Sequence, residues 1–246
     1  MIEVVLSLKT VHTWIKETLK LLNRYTNLRK DSSYSIRLKY YIDKELYSYS
    51  DDKSYPIKPQ KIIFDTRKAL NDDDILVSDV GAHKLWLCRL YPVYNPNTFI
   101  VSNGLSSMGI ALPGAIAAKQ AKPDVRVVAA TGDGGFMMNI QELETAKRLG
   151  LSFVVLIFDD QKYGGIEWKQ IIKFGRAFGS SFSNPDFVKL AESFGAKGYR
   201  IEKASELYPT LEEALKLEGI HVIDVPVDFN ENLRLTKQLG NFICPT

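Results

Sequence analysis

The stretch Gly132 to Gln161 reads GDGGFMMNIQELETAKRLGLSFVVLIFDDQ. Near its end, Phe153 to Phe158 is an unbroken apolar run rich in β-branched and aromatic residues, the composition of a strand covered on both faces. Before it, Ile140 to Leu149 places Leu143, Ala146 and Leu149 on one helical face. Immediately upstream of the glycines, Val125 to Thr131 is a second apolar strand. Strand, glycine turn, helix and strand within about 30 residues form one crossover unit, which joins two parallel neighbours.

The same alternation continues in both directions. Upstream lie a short strand, Ile75 to Ser78, a helix from His83 to Tyr91, a strand from Thr98 to Ser102, and a small-residue helix from Met108 to Lys119 that has to tolerate Pro113. Downstream lie helices around Ile166 to Phe174, Asp186 to Phe194 and Leu207 to Leu217, and a last strand at His221 to Val225. Apolar strands alternating with helices predict an α/β fold, a doubly wound parallel sheet with helices on both faces and right-handed crossovers. Ligands in such sheets sit beyond the carboxyl ends of the strands. At those ends the sequence places Asp79-Val80-Gly81, Asn103-Gly104, Gly132-Asp133-Gly134-Gly135 and Asp159-Asp160.

The first fifty residues have a different texture. Val11 to Tyr25 and Tyr34 to Tyr47 carry apolar residues at three- and four-residue spacings, without a strand between them, and two such helices cannot bury both faces alone. Pro56 and Pro59 then introduce a helix from Gln60 to Leu70. The expected organisation is a helical extension and linker over residues 1–55, the α/β domain over 56–235, and a tail over 236–246.

Composition excludes several classes. The 246 residues are 45% hydrophobic and 25% charged, ordinary for a globular chain. A net charge of +3 with dispersed Lys and Arg gives no nucleic-acid footprint. The longest apolar run, Ile110 to Ala118, contains Pro113 and Gly114 and falls well short of the roughly 20 residues that cross a membrane. The start lacks signal-peptide features, so a cytoplasmic setting is expected. Cys88 and Cys244 match no metal or redox spacing and read as a buried thiol and a tail thiol.

Asp133 leaves a strand between glycines that permit tight turns, just before a helix whose first N–H groups favour an anion. A carboxylate beside a phosphate is repelled unless a cation lies between them, so Asp133 reads as a metal ligand; the alternative is an ordinary turn and helix start. Asp160, one crossover unit later, should leave the neighbouring strand on the same sheet edge. Two carboxylates brought together repel unless a cation joins them, and all-oxygen ligation suits magnesium or calcium. The alternative for Asp159-Asp160 is a solvated turn.

A GDG followed by an Asn or Asp pair about one crossover unit later resembles the thiamine-diphosphate enzymes. DVGAHKLWLCRLY, SNGLSSMGIALPGAIAAK, QELETAKR, AESFGAKGYRIE and IDVPVDFNENLRL, in this order, are similar to acetolactate synthases, in particular the catabolic, flavin-independent kind. The resemblance covers about Pro56 to Leu235 and implies the thiamine-diphosphate-binding fold, with thiamine diphosphate and Mg2+ as cofactors. It implies that Asp133, Asp160 and the backbone carbonyl of Lys162 ligate magnesium, and that Gly134, Gly135, Ala82 and His83 meet the diphosphate. Met108 would wedge the cofactor into a bent conformer, and the Ser106 carbonyl would hold its pyrimidine amino group.

The implied reaction is decarboxylation of pyruvate and carboligation to a second 2-oxo acid, giving 2-acetolactate. Another decarboxylase or carboligase is one alternative. Tyr163-Gly164-Gly165 has glycine where relatives often have methionine, and Glu167-Trp168-Lys169-Gln170 falls where relatives differ among themselves, in a stretch that faces the acceptor. A non-catalytic cofactor-binding fragment without the pyrimidine domain is the other. The glutamate that contacts the pyrimidine in relatives lies in an N-terminal domain, so no catalytic residue carries over. The expected partners are a pyrimidine-domain chain or a second copy, with no nucleic acid and no membrane.

Overall fold

Six short segments pair into one parallel sheet: β1 (Ile75–Ser78), β2 (Phe99–Val101), β3 (Val127–Gly132), β4 (Phe153–Asp159), β5 (Lys197–Arg200) and β6 (Ile220–Pro226). Their order is β2-β1-β3-β4-β6-β5, and every neighbouring pair is parallel. These features come from a computed structural model, which describes residues 16–20 and 33–239.

The chain divides into two compact units, Met1–Tyr41 and Ile42–Thr246. In the first, residues 16–20 are helical, with Lys20 paired to Glu17 at 2.7 Å. Helix α1 (Ser33–Tyr47) begins there, and its Ile36, Tyr40 and Tyr41 are exposed. The rest of the expected helix Val11 to Tyr25 lies outside the described residues, as do residues 240–246 of the expected tail.

In the second unit, helices cover both faces of the sheet. Helices α2 (Pro59–Ala69) and α3 (Ala82–Leu90) pack Ile62, Ile63, Trp86 and Leu87 against Leu76, Val128, Val154 and Leu156. On the other face α4 (Ala111–Ala121) and α6 (Glu142–Arg148) pack Leu112, Ala115, Leu143 and Ala146 against Val77, Ala129, Val155 and Ile157. Successive β4 residues therefore point into opposite cores, which is why its sequence is continuously apolar. Between β3 and α6 lies the one-turn helix α5 (Asp133–Phe136). After β4 come α7 (Gly164–Phe174), α8 (Phe187–Ser193), α9 (Ala204–Ala214) and α10 (Glu231–Leu239).

Four expectations are corrected. Helix α4 starts at Ala111, not Met108, so Pro113 falls in the first turn, where its missing N–H forfeits no helical bond. Strand β5 was not expected: Lys197-Gly198-Tyr199-Arg200 is an edge strand, partly exposed, and lacks an apolar run. Helix α9 starts three residues earlier than its apolar pattern suggests, where Glu206 accepts from the Lys203 backbone N–H. Cys88 is exposed, because α3 turns Trp86, Leu87 and Leu90 inward and leaves position 88 facing out.

Chain order reverses twice along this sheet. After β2 is laid beside β1, the chain crosses to place β3 on the other side of β1. After β5 takes the far edge, it returns to place β6 beside β4. The reversal between β1 and β3 opens a crevice at the carboxyl ends, where α/β sheets hold ligands. No helix among the described residues is long and apolar enough to cross a membrane.

Candidate functional site

A cleft of about 560 Å³ opens beyond the ends of β1, β3 and β4. Its lining includes Ala82, His83, Met108, Asp133, Gly134, Gly135, Asp160 and Lys162, gathered from four separate segments. Of the residues singled out in the sequence, Ser106 is the one not on this lining. It lies on the loop before α4 with a left-handed backbone (φ 52°), and its hydroxyl accepts from Lys84 Nζ at 3.3 Å. Lys84 Nζ also donates to the Ser102 carbonyl at 2.6 Å, so it ties this loop to the start of α3.

Asp133 and Asp160 leave adjacent strands, with Gly132 registered against Phe158. Asp133 Oδ1 accepts from the Gly134 N–H at 2.8 Å, and Oδ2 accepts from the Gln161 N–H and from Asn184 Nδ2, both at 2.7 Å. Gln161 takes up a left-handed backbone (φ 57°) between Asp160 and Lys162, an uncommon conformation for a residue with a side chain and one concentrated at functional sites. Burial, with the Asp133 charge next, raises the Asp160 pKa to about 8. Burial likewise raises Asp133 to about 6, against the pull of its hydrogen bonds. Both shifts come first from burial, with neighbouring carboxylates adding to it and the Lys162 charge offsetting part of it at Asp160.

The cleft walls are tightly built. A Cβ on Gly134 would come within 2.9 Å of the Tyr163 ring, and one on Gly135 within 3.1 Å of both Asp79 Oδ1 and Thr131 Oγ1. The His83 ring stacks on Phe158 with centroids 5.4 Å apart. Burial lowers its pKa to about 4, so the ring is neutral at neutral pH, and its buried Nε2 has no hydrogen-bond partner. Helix α7 adds Gly164, Ile166, Trp168 and Ile172 to the lining and buries none of its residues among the described ones.

Sequence reasoning missed three residues here. Asp79, read only as part of a turn, is buried and accepts from the N–H groups of Val80, Gly109 and Ala111. Asn184 and Arg200 reach the site from distant segments, and no local pattern around either announces it.

The residues present fit a diphosphate with a divalent cation. Two carboxylates supply hard oxygen ligands, glycine backbone lines the wall beside them, and the orphaned His83 Nε2 is a polar atom that lacks a partner. Among the described residues no group of three or more His, Cys, Asp or Glu forms a ready cation cage. Magnesium binds through one or two carboxylates and completes its shell with water and phosphate oxygens.

The family described as "Thiamine pyrophosphate enzyme, C-terminal TPP binding domain" matches residues 79–225. The acetolactate synthase of Bacillus subtilis (strain 168) is 39% identical over 200 residues, covering 81% of this chain and 35% of that protein. "Acetolactate synthase, catabolic" of Raoultella terrigena is 36% identical over 185 residues, 75% of this chain and 33% of its own length. The "Putative thiamine pyrophosphate-containing protein YdaP" of Bacillus subtilis (strain 168) is 37% identical over 183 residues, 74% of this chain and 32% of its own. The chain thus spans about a third of the length of the curated relatives it matches. It belongs to the thiamine pyrophosphate enzymes, and what it carries of them is the C-terminal domain that binds the cofactor.

Proposed function

We infer that Asp133, Asp160 and the backbone carbonyl of Lys162 hold a magnesium ion that grips the diphosphate of thiamine diphosphate, and that the chain is the cofactor-anchoring part of an acetolactate-forming enzyme. The observation that carries this reading is the pair of carboxylates brought from adjacent strand ends onto one cleft lining, beside a glycine-lined wall. A dication resolves their repulsion and needs the phosphate oxygens to complete its shell.

The remaining roles follow from position. Gly134 and Gly135 present bare backbone to the diphosphate, and Ala82 and His83, at the start of α3, close its other side. Neutral His83 offers its unpartnered Nε2 to a water that bridges to a phosphate oxygen. Met108, on the cleft lining, would give the cofactor apolar bulk to bend against, and the carbonyl of Ser106, on the loop before α4, would hold its pyrimidine amino group. When bound, thiamine diphosphate supplies the nucleophile and electron sink that cleave the bond between a 2-oxo acid's carbonyl and carboxylate carbons. The chain's part is to fix that cofactor and to keep water away with α7, whose Ile166, Trp168 and Ile172 form an apolar rim.

On this reading the substrate is pyruvate or another 2-oxo acid and the product 2-acetolactate. The reaction needs a pyrimidine-binding domain, which a partner chain would bring. Residues 1–55 are then the end of the domain that precedes the cofactor domain of 56–235. A related decarboxylase or carboligase is the second reading, favoured by Gly164-Gly165 and Trp168 on the face of α7 toward the substrate.

Calorimetric titration of thiamine diphosphate with and without Mg2+ tests the anchor. Asp133→Ala should weaken magnesium-dependent binding by more than the roughly 10- to 100-fold that losing a ligand's hydrogen-bond partner costs. Unchanged affinity in that variant would sink the assignment. Acetolactate formed from pyruvate once a pyrimidine-domain chain is added separates the first reading from the second.

A further inference from the structure

Asp159 and Asp160 are neighbours in the chain with opposite surroundings. Asp159 is buried, and both of its oxygens are taken: Oδ1 accepts from Asn184 Nδ2 and Oδ2 from an Arg200 Nη1 proton, each at 2.7 Å. The same Arg200 nitrogen donates to Asp224 Oδ2, on the neighbouring strand β6. Asn184 Nδ2 carries two protons, and the second goes to Asp133 Oδ2 at 2.7 Å. One amide nitrogen therefore bridges Asp133 on β3 and Asp159 on β4, and one guanidinium bridges Asp159 and Asp224.

Four carboxylates, Asp133, Asp159, Asp160 and Asp224, crowd the ends of three adjacent strands. Arg200 pairs with the two on the β6 side, and Asn184 separates Asp133 from Asp159 with donated protons. Asp160 is left facing the cleft lining. We propose that Asn184 and Arg200 are positioning residues that select which carboxylates meet the cation: they hold Asp159 away from it and fix the face that Asp133 turns toward it. The proposal rests on the magnesium reading above. It gives a physical reason why Asp160, and not its neighbour, is the ligand: Asp159 is turned to Arg200 and Asn184 and is not on the cleft lining, whereas Asp160 is. Without them a third carboxylate is released beside the site, and Asp133 loses one of the two bonds that orient Oδ2.

The test uses the full chain and Mn2+ as a magnesium surrogate, its binding followed by electron paramagnetic resonance with thiamine diphosphate present, beside thermal unfolding of each variant. Asn184→Ala should raise the Mn2+ dissociation constant about tenfold or more, as loss of a ligand's orienting partner does, with the unfolding midpoint close to the parent's. Asn184→Asp, the same shape with a carboxylate in place of the donor, should do so more strongly. Arg200→Met should match Asn184→Ala in affinity, and Arg200→Lys should fall between it and the parent. If Arg200→Met does not fold, the two Asn184 variants still decide. A lower midpoint with Mn2+ affinity within twofold of the parent in the Asn184 variants, while Asp133→Ala loses the ion, overturns the proposal and leaves the site standing. Mn2+ retained by Asp133→Ala, or no Mn2+ held by the parent, removes the site and the proposal together.

Discussion

Asp79 and Asp133 look alike in sequence and nearly alike in structure. Each follows a buried strand, each precedes a glycine-containing turn, and each is 1% exposed. Each accepts three N–H bonds: Asp79 from Val80, Gly109 and Ala111 at 2.6–3.0 Å, Asp133 from Gly134, Gln161 and Asn184 at 2.7–2.8 Å. What separates them is company. All of Asp79's donors are main-chain groups, and it joins the end of β1 to the loop and first turn of α4. Asp133 shares its surroundings with Asp159 and Asp160. A full set of hydrogen bonds therefore does not distinguish a structural carboxylate from a candidate metal ligand. An uncompensated like charge beside it does.

The largest effect expected from this contrast is on stability. Asp79→Ala strips the acceptor from three backbone N–H groups in or near the core, and each buried donor left unsatisfied costs about 1–3 kcal/mol. The loss should be about 3 kcal/mol or more by denaturant unfolding. Above about pH 8, where Asp160 is ionised, Asp133→Ala removes as many bonds but also removes a charge that repels Asp159 and Asp160, so it should cost distinctly less. If the two variants prove equally unstable, the repulsion inferred around Asp133 is not there and the comparison breaks.

A second, smaller effect is its pH dependence. Asp160 titrates at about 8 and Asp133 at about 6 in the ion-free fold, both above the ordinary carboxylate value because of burial first. Between about pH 4 and 8 the folded state therefore binds protons that the unfolded chain has released. Stability contributed by these groups is full below about pH 4 and is lost as pH rises through 6 and then 8. Without divalent ions the unfolding midpoint should fall over that range, saturating Mg2+ should restore it at pH 8, and Asp160→Asn should flatten the profile. A midpoint that climbs from pH 5 to 8 in the ion-free parent contradicts the assignment.

The same contrast marks how far the sequence could be read. Phe153 to Phe158 announces a two-faced strand because alternate residues enter two cores, and the glycine-flanked Asp133 stands out because the turn demands those residue types. Asp79 could not be told from a turn residue, since Gly109 and Ala111 lie thirty residues away and give only their backbone. Arg200 sits on an edge strand without an apolar run, and Asn184 in a loop before α8, so neither carries a local signal. Residues that act through chemistry of their own were readable. Those that act by reaching across the fold were not, because contact over long separation leaves no periodic trace in one sequence.

The smallest effect divides two adjacent glycines between the two regions. A Cβ at position 135 meets Asp79 Oδ1 and Thr131 Oγ1 at 3.1 Å, on the structural side. A Cβ at position 134 meets Tyr163 at 2.9 Å and Phe182 at 3.2 Å, both in segments bonded across the loop that follows Asp160. Gly135→Ala should push the Asp79 carboxylate off its three donors and cost about 1–3 kcal/mol, the usual penalty of overpacking, with a smaller loss of Mn2+ affinity than at position 134. Gly134→Ala should displace Tyr163 and with it the Gln161–Lys162 turn, which weakens Mn2+ binding severalfold for a smaller loss of stability. Adding Tyr163→Leu to Gly134→Ala should recover part of that affinity, because it removes the ring the new methyl strikes. Exchange of the two outcomes, with affinity lost at 135 and stability at 134, would place the cation on the Asp79 side and reverse the roles given to the two aspartates.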